Sequence, residues 1–315
     1  MKNHLRIFSG NSNPELARQI CDYLNISKAG VDIFKFKNDN IFVQIKDDVR
    51  EKDVYVIQSS VPPVSDSLME LLIMVDALRH ASAQRITAVV PYYPYVRSDK
   101  KDQPRISITA RLVADLITTA GADRILTVNL HSPQIHGFFR IPADHLLVMP
   151  IILNYLKKME TRGYIAVAPD AGSAKLAETY ARGLQIPLAI VDKRRYDNDD
   201  QAHAMNIIGN VKGKSAIIFD DEISTAGSLV ETVDVLKSNG AKKIIACVAH
   251  GVFSGPAIDR IYGCDALDKV IVTNTLPISK DAVDGGKIHV LSIASLLGEA
   301  IKRIHKGESI SVLFK

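Results

Sequence analysis

Two adjacent carboxylates and a run of small polar residues form the part of the chain best suited to chemistry. Asp220 and Asp221 follow the apolar run 216–219, and residues 224–228 read Ser-Thr-Ala-Gly-Ser before apolar residues at helical spacing. Backbone N–H groups at the start of a helix, with the helix dipole behind them, attract a phosphate. Gly227 lets the backbone approach such a ligand closely. The pattern predicts a strand-to-helix turn that binds a phosphate.

The two acids need a different target, because carboxylates repel a phosphate. Sugar hydroxyls and an oxygen bridged by magnesium are suitable partners. Asp220 and Asp221, together with the turn, could therefore hold a ribose at its diol and at its phosphate. The alternative is a capped helix preceded by two solvated acids, but capping does not require two adjacent acids directly after a strand.

Other candidate ligands follow the ends of predicted strands. Arg97, Asp99 and Lys100 lie on a loop whose cations could hold phosphates, although such a loop could also be merely solvated. His131 and Asp170 each end a predicted strand, and both side-chain types can reach a metal or a phosphate. A lone histidine is more often structural, so the residue types alone leave both interpretations open.

These candidates need a scaffold that brings strand ends together. Short β-branched runs alternate with longer amphipathic segments, and several runs are apolar on both faces, as buried parallel strands are. The alternation predicts an α/β fold with mainly parallel sheets. One predicted helix begins at Leu68, where Ser67 and Glu70 have the spacing of a capping box. Two others end at Gly121 and Gly240, as glycine stops.

The length of 315 residues predicts two domains, 1–149 and 150–315. The two halves share an order of strand, polar loop, helix and glycine-alanine turn, which suggests a duplication. Segment 194–204 is polar with almost no apolar anchor, and it is predicted to be a mobile loop.

Composition excludes some classes of function. The formal net charge is only +4 and the basic residues are scattered, which argues against a nucleic-acid binder and suits small anionic ligands. The sequence contains no run of about 18 apolar residues, so no membrane span is expected. Cys21, Cys247 and Cys264 lie among apolar neighbours, so we expect buried free thiols in a cytoplasmic protein.

The stretch 216–230 resembles the phosphoribosyl-pyrophosphate signature of type I phosphoribosyltransferases and of ribose-phosphate diphosphokinases. By that resemblance, Asp220 and Asp221 bind the ribose hydroxyls, and the 5-phosphate is bound by Ser224, Thr225, Ala226, Gly227 and Ser228. Outside this stretch the chain resembles the diphosphokinases and not the transferases, and that similarity extends from about Arg6 to Phe314. It includes the segments 8–11, 54–58, 69–78, 91–93 with Arg97 and Asp99, 130–131, 134–135, 137–139, 169–172 and 192–195. The resemblance implies two similar type I phosphoribosyltransferase-like domains, each a mainly parallel sheet flanked by helices. It also allows the last helix to pack back on the first domain.

The same resemblance assigns further roles. Lys193 and Arg195 are the catalytic cations of a lid that closes over the triphosphate. The ATP-binding residues are Phe36, Asn38, Asn40, Arg97, Ser98, Asp99, Lys100 and His131. His131 and Asp170 bind the Mg²⁺ of magnesium-ATP. The implied reaction is in-line attack by the 1-hydroxyl of ribose 5-phosphate on the β-phosphorus of ATP, with AMP leaving. Family members form dimers that assemble into hexamers, so a homo-oligomer is expected.

Several positions depart from the family pattern. Asn40 replaces a usual Glu, Ser98 a Gln, Asn129 an Asp, Ser173 a second Gly, and Ser224 an Asp. At the family's regulatory site, the replaced positions are Asp48, Gln103, Pro104, Pro133 and His136, while Arg50, Arg105, Ser309, Ser311 and Phe314 are retained. The carboxylate of Asp48 should repel a bound anion. Both the activation by phosphate and the inhibition by ADP are therefore expected to be weak or altered.

Two other functions compete with the diphosphokinase. A type I phosphoribosyltransferase would need a nucleobase hood, for which the sequence offers no candidate. A catalytically silent regulatory homologue would be expected to lose its lid cations or carry insertions. Lys193, Arg195, Asp220 and Asp221 are all present, which favours an active enzyme.

Overall fold

The computed structural model describes residues 4–194 and 204–314. The strands are β1 (Leu5–Ser9), β2 (Val31–Lys35), β3 (Ile41–Ile45), β4 (Asp53–Ile57), β5 (Arg85–Val90), β6 (Arg124–Val128), β7 (Ala143–Leu146), β8 (Tyr164–Ala168), β9 (Leu188–Arg194), β10 (Ala204–Ile208), β11 (Ser215–Ile223), β12 (Ile244–Gly251), β13 (Leu267–Thr273) and β14 (Ile288–Leu291). The helices are α1 (Pro14–Leu24), α2 (Val64–His80), α3 (Thr109–Ala120), α4 (Met149–Lys158), α5 (Ala174–Leu184), α6 (Gly227–Ser238), α7 (Ala257–Gly263), α8 (Lys280–Asp284) and α9 (Ala294–Lys306).

The described residues fall into two compact units. Unit 1 comprises 4–147, 275–277 and 292–314, and unit 2 comprises 148–194, 204–274 and 278–291. The C-terminal helix α9 thus belongs to unit 1. Each unit is built around its own sheet and its own apolar core.

Unit 1 contains a five-stranded sheet in the order β1-β4-β5-β6-β7, with every neighbouring pair parallel. All five residues of β4 are buried. A parallel strand that is buried on both faces needs apolar residues without alternation, which the sequence of β4 supplies after Asp53. Strands β2 and β3 form a separate antiparallel hairpin.

Unit 2 contains a seven-stranded sheet in the order β10-β9-β8-β11-β12-β13-β14. Only the edge strand β10 runs antiparallel to its neighbour, β9. Strand β11 lies between β8 and β12, and the carboxyl ends of these parallel strands meet at one edge of the sheet. Ligands bind at this edge in open α/β sheets.

The predicted α/β architecture with mainly parallel sheets is observed. Helix α3 ends at Gly121, whose φ of 116° is in the left-handed region that glycine adopts at low cost. The three cysteines are buried and free, as predicted. Within the described ranges, no helix is both long enough and apolar enough to cross a bilayer.

The predicted start of α2 at Leu68 is wrong. The helix begins at Val64 after Pro63, and Ser67 lies inside it. The Ser67 hydroxyl donates to the carbonyl of Val61 at 2.7 Å, while Glu70 accepts from the backbone N–H of Asn11 at 2.6 Å. Both side chains therefore serve tertiary contacts that a local capping pattern cannot reveal.

Two strands and one helix were missed by the sequence patterns. Strand β7 (ADHL) is short and half polar, and β10 lies on the edge of its sheet, so neither has the long apolar run of a central strand. Helix α8 has only five residues. Residues 195–203 of the predicted polar loop lie outside the described part of the chain.

Candidate functional site

The predicted phosphate turn connects β11 to α6 at the carboxyl edge of the unit 2 sheet. Strand β11 continues to Ile223, beyond the predicted end at Phe219. Asp220 therefore lies within the strand, where it pairs with Val248 of β12. The central strand fixes the backbone of both acids, and the turn follows directly.

Ala226 gives the turn an unusual backbone. Its φ of 61° and ψ of 6° are left-handed, a conformation that is costly for a residue with a Cβ. Such conformations cluster at ligand-binding turns. Ala226 is also the N-cap of α6, and its methyl group cannot accept a hydrogen bond from the first helical turn. The N–H donors that begin α6 are thus not capped by this residue.

Gly227 is not required by the protein's own packing. A Cβ at this position would lie 3.4 Å from Arg260 Nη1 and 3.9 Å from Thr225 Oγ1, both ordinary or slightly tight contacts. Its φ also lies outside the left-handed region. Because neither the backbone nor the neighbours demand glycine, the space is consistent with the close approach of a ligand.

Arg260 on α7 holds the turn from outside. Its Nη1 donates to the carbonyl oxygen of Thr225 at 3.0 Å. The contact brings a cation to the turn and adds to the positive potential that the start of α6 provides. Arg260 lies 35 residues from Thr225, and no local sequence pattern connects the two residues.

Asp170, Ser173 and Asp220 form a hydrogen-bonded cluster beside the turn. Asp170 follows β8, and its Oδ1 accepts from the backbone N–H of Ser173 at 2.9 Å. The Ser173 Oγ lies 3.1 Å from Asp170 Oδ1 and 3.0 Å from Asp220 Oδ1. The structure thus brings together the predicted metal ligand Asp170 and the predicted diol ligand Asp220. From the sequence, Ser173 stands out only as a replacement for the family's second glycine.

The cluster is electrostatically unfavourable for an ionised Asp220. Burial, and next the neighbouring Asp221 carboxylate, raise the pKa of Asp220 from 3.8 to about 7. Hydrogen bonds from the backbone of Asp221 and from Ser173 oppose the shift only partly. The ionised form of a carboxylate in this setting is stabilised by a ligand that offers hydroxyl donors or a positive charge.

The predicted adenine-binding residues lie on the β2–β3 hairpin of unit 1. Phe36 is 49% exposed, and its ring packs edge-on against Phe34 and Phe42, with centroids 5.2 and 5.6 Å away. Three hydrogen bonds close the tip: Phe36 N donates to Asn40 O at 2.9 Å, Asp39 N to Phe36 O at 2.9 Å, and Asn40 N to Asn38 Oδ1 at 3.3 Å. The hairpin therefore presents an aromatic face and amide side chains.

The loop after β5 carries Arg97, Ser98, Asp99 and Lys100. Tyr95 of this loop lies 3.1 Å from Ser65, measured between the hydroxyl oxygens. Asp66, which follows Ser65 on α2, accepts a hydrogen bond from Lys35 Nζ of β2 at 2.5 Å. The first turn of α2 thus contacts both predicted ATP-binding segments, the hairpin and the loop.

The remaining predicted residues with described positions, His131, Asp170 and Lys193, each lie on or shortly after a different strand. His131 is exposed and follows β6 in unit 1, next to Leu130, whose N–H donates to His145 Nε2 at 2.8 Å. Asp170 belongs to unit 2. Lys193 is on β9, but its side chain and the whole of Arg195 lie outside the described part of the chain. The roles of these residues stay predictions.

Comparison with known proteins identifies the family. A model of the N-terminal domain of ribose phosphate pyrophosphokinase matches residues 5–121, and a model of the phosphoribosyl synthetase-associated domain matches residues 197–315. A ribose-phosphate pyrophosphokinase of Deinococcus radiodurans is 50% identical over 99% of this chain and 98% of its own length. The chain belongs to the ribose-phosphate pyrophosphokinase family.

Other members support the same assignment. A chloroplastic ribose-phosphate pyrophosphokinase of Arabidopsis thaliana is 47% identical over 98% of this chain and 77% of its own length. The crystal structure of phosphoribosylpyrophosphate synthetase from Mycobacterium smegmatis superposes with a TM-score of 0.91 at 42% identity, covering 97% of this chain and 100% of that one. The predicted family and the predicted fold of two phosphoribosyltransferase-like domains are confirmed, and the pyrophosphokinase is favoured over the transferase.

Proposed function

We propose that this chain transfers the diphosphoryl group of ATP to the 1-hydroxyl of ribose 5-phosphate, giving phosphoribosyl pyrophosphate and AMP. The observation that carries the proposal is the turn 224–228, which follows Asp220 and Asp221 at the carboxyl edge of the unit 2 sheet. In a ribose-phosphate pyrophosphokinase, this arrangement suits the acceptor substrate, which has an anion at one end and a diol at the other.

Ribose 5-phosphate is proposed to bind with its phosphate on the turn. The N–H groups at the start of α6 and the hydroxyls of Ser224, Thr225 and Ser228 are donors for the phosphate oxygens. Asp220 and Asp221 accept from the ribose hydroxyls. Because burial disfavours the ionised form of Asp220, hydrogen bonds from hydroxyl groups would lower its pKa on binding.

Asp170 is proposed to bind Mg²⁺. The donor set is suitable, since a carboxylate at a strand end, oriented by its bonds to Ser173, offers oxygen ligands of the type that this cation prefers. Magnesium commonly uses one or two carboxylates together with substrate phosphates and waters. When bound, the cation would neutralise charge on the transferred phosphates. His131 is proposed as a second ligand by resemblance.

ATP is proposed to bind to the segments of unit 1 that contact the start of α2. The exposed ring of Phe36 can stack on adenine, and Asn38 and Asn40 can hydrogen-bond its edge. Arg97, Ser98, Asp99 and Lys100 would contact the ribose and phosphates. Because an amide is less selective than a carboxylate for the adenine amino group, Asn40 makes nucleotide preference worth testing.

The transfer itself needs positioning more than covalent help. The ribose 1-hydroxyl attacks the β-phosphorus, the bond between that atom and the α,β-bridging oxygen breaks, AMP leaves, and the hydroxyl proton is released to solvent. Lys193 and Arg195 are proposed to stabilise the negative charge on the transferred group. By resemblance, we also propose a cytoplasmic homo-oligomer of dimers that assemble into hexamers, and weak activation by phosphate.

One assay tests the proposed function against its alternatives. The full chain is incubated with ATP, ribose 5-phosphate and Mg²⁺, and nucleotides are separated by chromatography. We expect AMP in an amount equal to the phosphoribosyl pyrophosphate formed, and none when ribose 5-phosphate or Mg²⁺ is omitted. Pyrophosphate release from a nucleobase and phosphoribosyl pyrophosphate would instead indicate a transferase, and inactivity in both assays would indicate a silent homologue.

A further inference from the structure

A single hydroxyl connects the two carboxylates that are proposed to bind different ligands. The Oγ of Ser173 lies 3.1 Å from Asp170 Oδ1 and 3.0 Å from Asp220 Oδ1. Asp170 follows β8, and Asp220 lies on β11, which pairs with β8 in the sheet. Ser173 is therefore placed between neighbouring strand ends.

This hydroxyl does not perform the role that its position suggests. Ser173 is the N-cap of α5, yet its side chain makes no capping hydrogen bond to that helix. The turn before α5 is held instead by Asp170 Oδ1, which accepts from the backbone N–H of Ser173 at 2.9 Å. Removal of the hydroxyl would leave that backbone hydrogen bond in place, so the Oγ is not needed to begin α5.

The chemistry of a hydroxyl makes the two contacts dependent on each other. A serine side chain has one O–H to donate, so it can donate to Asp170 or to Asp220 but not to both at once. A cation bound to Asp170 would weaken that carboxylate as an acceptor. The hydroxyl would then donate to Asp220 and stabilise its ionised form, which is the form that accepts from ribose hydroxyls.

We infer that Ser173 is a positioning residue that couples the binding of Mg²⁺ at Asp170 to the binding of ribose 5-phosphate at Asp220. The inference rests on the proposed function, because it takes the ligands of both carboxylates from there. The coupling is reciprocal, so each ligand increases the affinity for the other through the same hydroxyl.

The test compares the wild type with Ser173→Ala, which removes the hydroxyl, and Ser173→Thr, which keeps it. Ribose 5-phosphate is titrated calorimetrically into the full chain with saturating α,β-methylene ATP, an analogue that cannot transfer its diphosphoryl group. Each protein is titrated at low and at saturating Mg²⁺. The readout is the ratio of the two dissociation constants, and the melting temperature of each variant reports folding.

We expect Mg²⁺ to tighten ribose 5-phosphate binding in the wild type. The ratio should be about three- to tenfold smaller in Ser173→Ala, the size of one hydrogen bond, and restored in Ser173→Thr. An equal ratio in the wild type and Ser173→Ala, or no effect of Mg²⁺ on the wild type, overturns the coupling alone. Failure of the wild type to bind ribose 5-phosphate under either condition overturns the proposed function as well.

Discussion

Two acids, the buried Asp53 of unit 1 and the half-buried Asp220 of unit 2, have opposite environments. Asp53 begins β4 at the amino edge of the unit 1 sheet, and Asp220 lies near the carboxyl end of β11 in unit 2. Asp53 accepts hydrogen bonds from a cationic guanidinium and a hydroxyl group. In contrast, the pKa of Asp220 is set by the burial of its carboxyl group and by the neighbouring Asp221 and Ser173. The first acid stabilises the fold, and the second is proposed to bind a ligand.

The surroundings of Asp53 satisfy both of its oxygens. Arg85 donates from Nε to Oδ1 at 2.7 Å and from Nη2 to Oδ2 at 2.6 Å, a bidentate pair. His305 Nδ1 lies 2.6 Å from Oδ2, and the Tyr55 hydroxyl donates to the same oxygen at 3.2 Å. Because His305 belongs to α9, this cluster fastens the C-terminal helix to the sheet.

Asp220 shows the reverse pattern. Its closest described partners, Ser173 and the Asp221 backbone, are neutral donors, and Asp221 adds a second acid. Perturbed carboxylates of this kind concentrate at functional sites. The contrast suggests that a buried acid should be assessed by its partners rather than by its burial alone.

The largest expected effect is on activity. Asp220→Asn should lower kcat/KM for ribose 5-phosphate about 10³-fold, because an amide loses the charge-assisted hydrogen bonds to the ribose hydroxyls. The measurement is steady-state AMP formation at saturating ATP and Mg²⁺. Asp234→Asn, an exposed acid on α6, is the matched control and should stay within about twofold. More than a tenth of wild-type activity in Asp220→Asn would contradict the assignment.

The acid of unit 1 should instead affect stability. Asp53→Asn leaves the Arg85 guanidinium facing an amide and should lower the free energy of unfolding by about 3 kcal/mol. Asp66→Asn breaks the pair between Asp66 and Lys35, both of which are exposed, and should leave the free energy of unfolding nearly unchanged, because surface ion pairs contribute little. Urea denaturation measures both variants. Equal stabilities of the two variants would remove the distinction between the clusters.

The dependence of stability on pH should separate the acids further. The pKa of Asp220 is raised from 3.8 to about 7 on folding, so the folded state binds more protons between these values. Its contribution to the free energy of unfolding therefore falls as pH rises from about 4 to about 7. Asp220→Asn cannot ionise, and its stability relative to the wild type should increase over that range by about 2 kcal/mol, after allowance for partial exposure. A difference that is constant with pH would contradict the raised pKa.

Two glycines provide the smallest and most local comparison. A Cβ at Gly10 would overlap Gln58 and lie 2.6 Å from Glu70 Oε1, whereas a Cβ at Gly227 would meet Arg260 only at 3.4 Å. Gly227→Ala should therefore keep its stability within about 0.5 kcal/mol and raise the KM for ribose 5-phosphate roughly tenfold. Gly10→Ala should lose about 1 kcal/mol of stability or more. An unchanged KM in Gly227→Ala would show that no ligand approaches that backbone.

Local patterns predicted the features that local chemistry determines. The α/β alternation, the turn 224–228 and the glycine stop at Gly121 each depend on residues close in sequence. The contacts that separate Asp53 from Asp220 do not. His305 lies 252 residues from Asp53, and Ser173 lies 47 residues from Asp220. Single-sequence periodicity carries no information on such pairings, which arise only when the sheets form.

The extent of β11 is a similar case. Its sequence turns polar at Asp220, so periodicity predicts an end at Phe219, but pairing with β12 continues to Ile223. Tertiary pairing thus overrides the local pattern. As a result, the acids lie on a central strand rather than in a loop.

The most direct test of the account is a crystal structure of the full chain with ribose 5-phosphate. We predict that the phosphate lies within hydrogen-bond distance of the backbone N–H groups of residues 225–228, with the ribose hydroxyls facing Asp220. A phosphate bound elsewhere, or a ribose whose hydroxyls face away from Asp220, would contradict it.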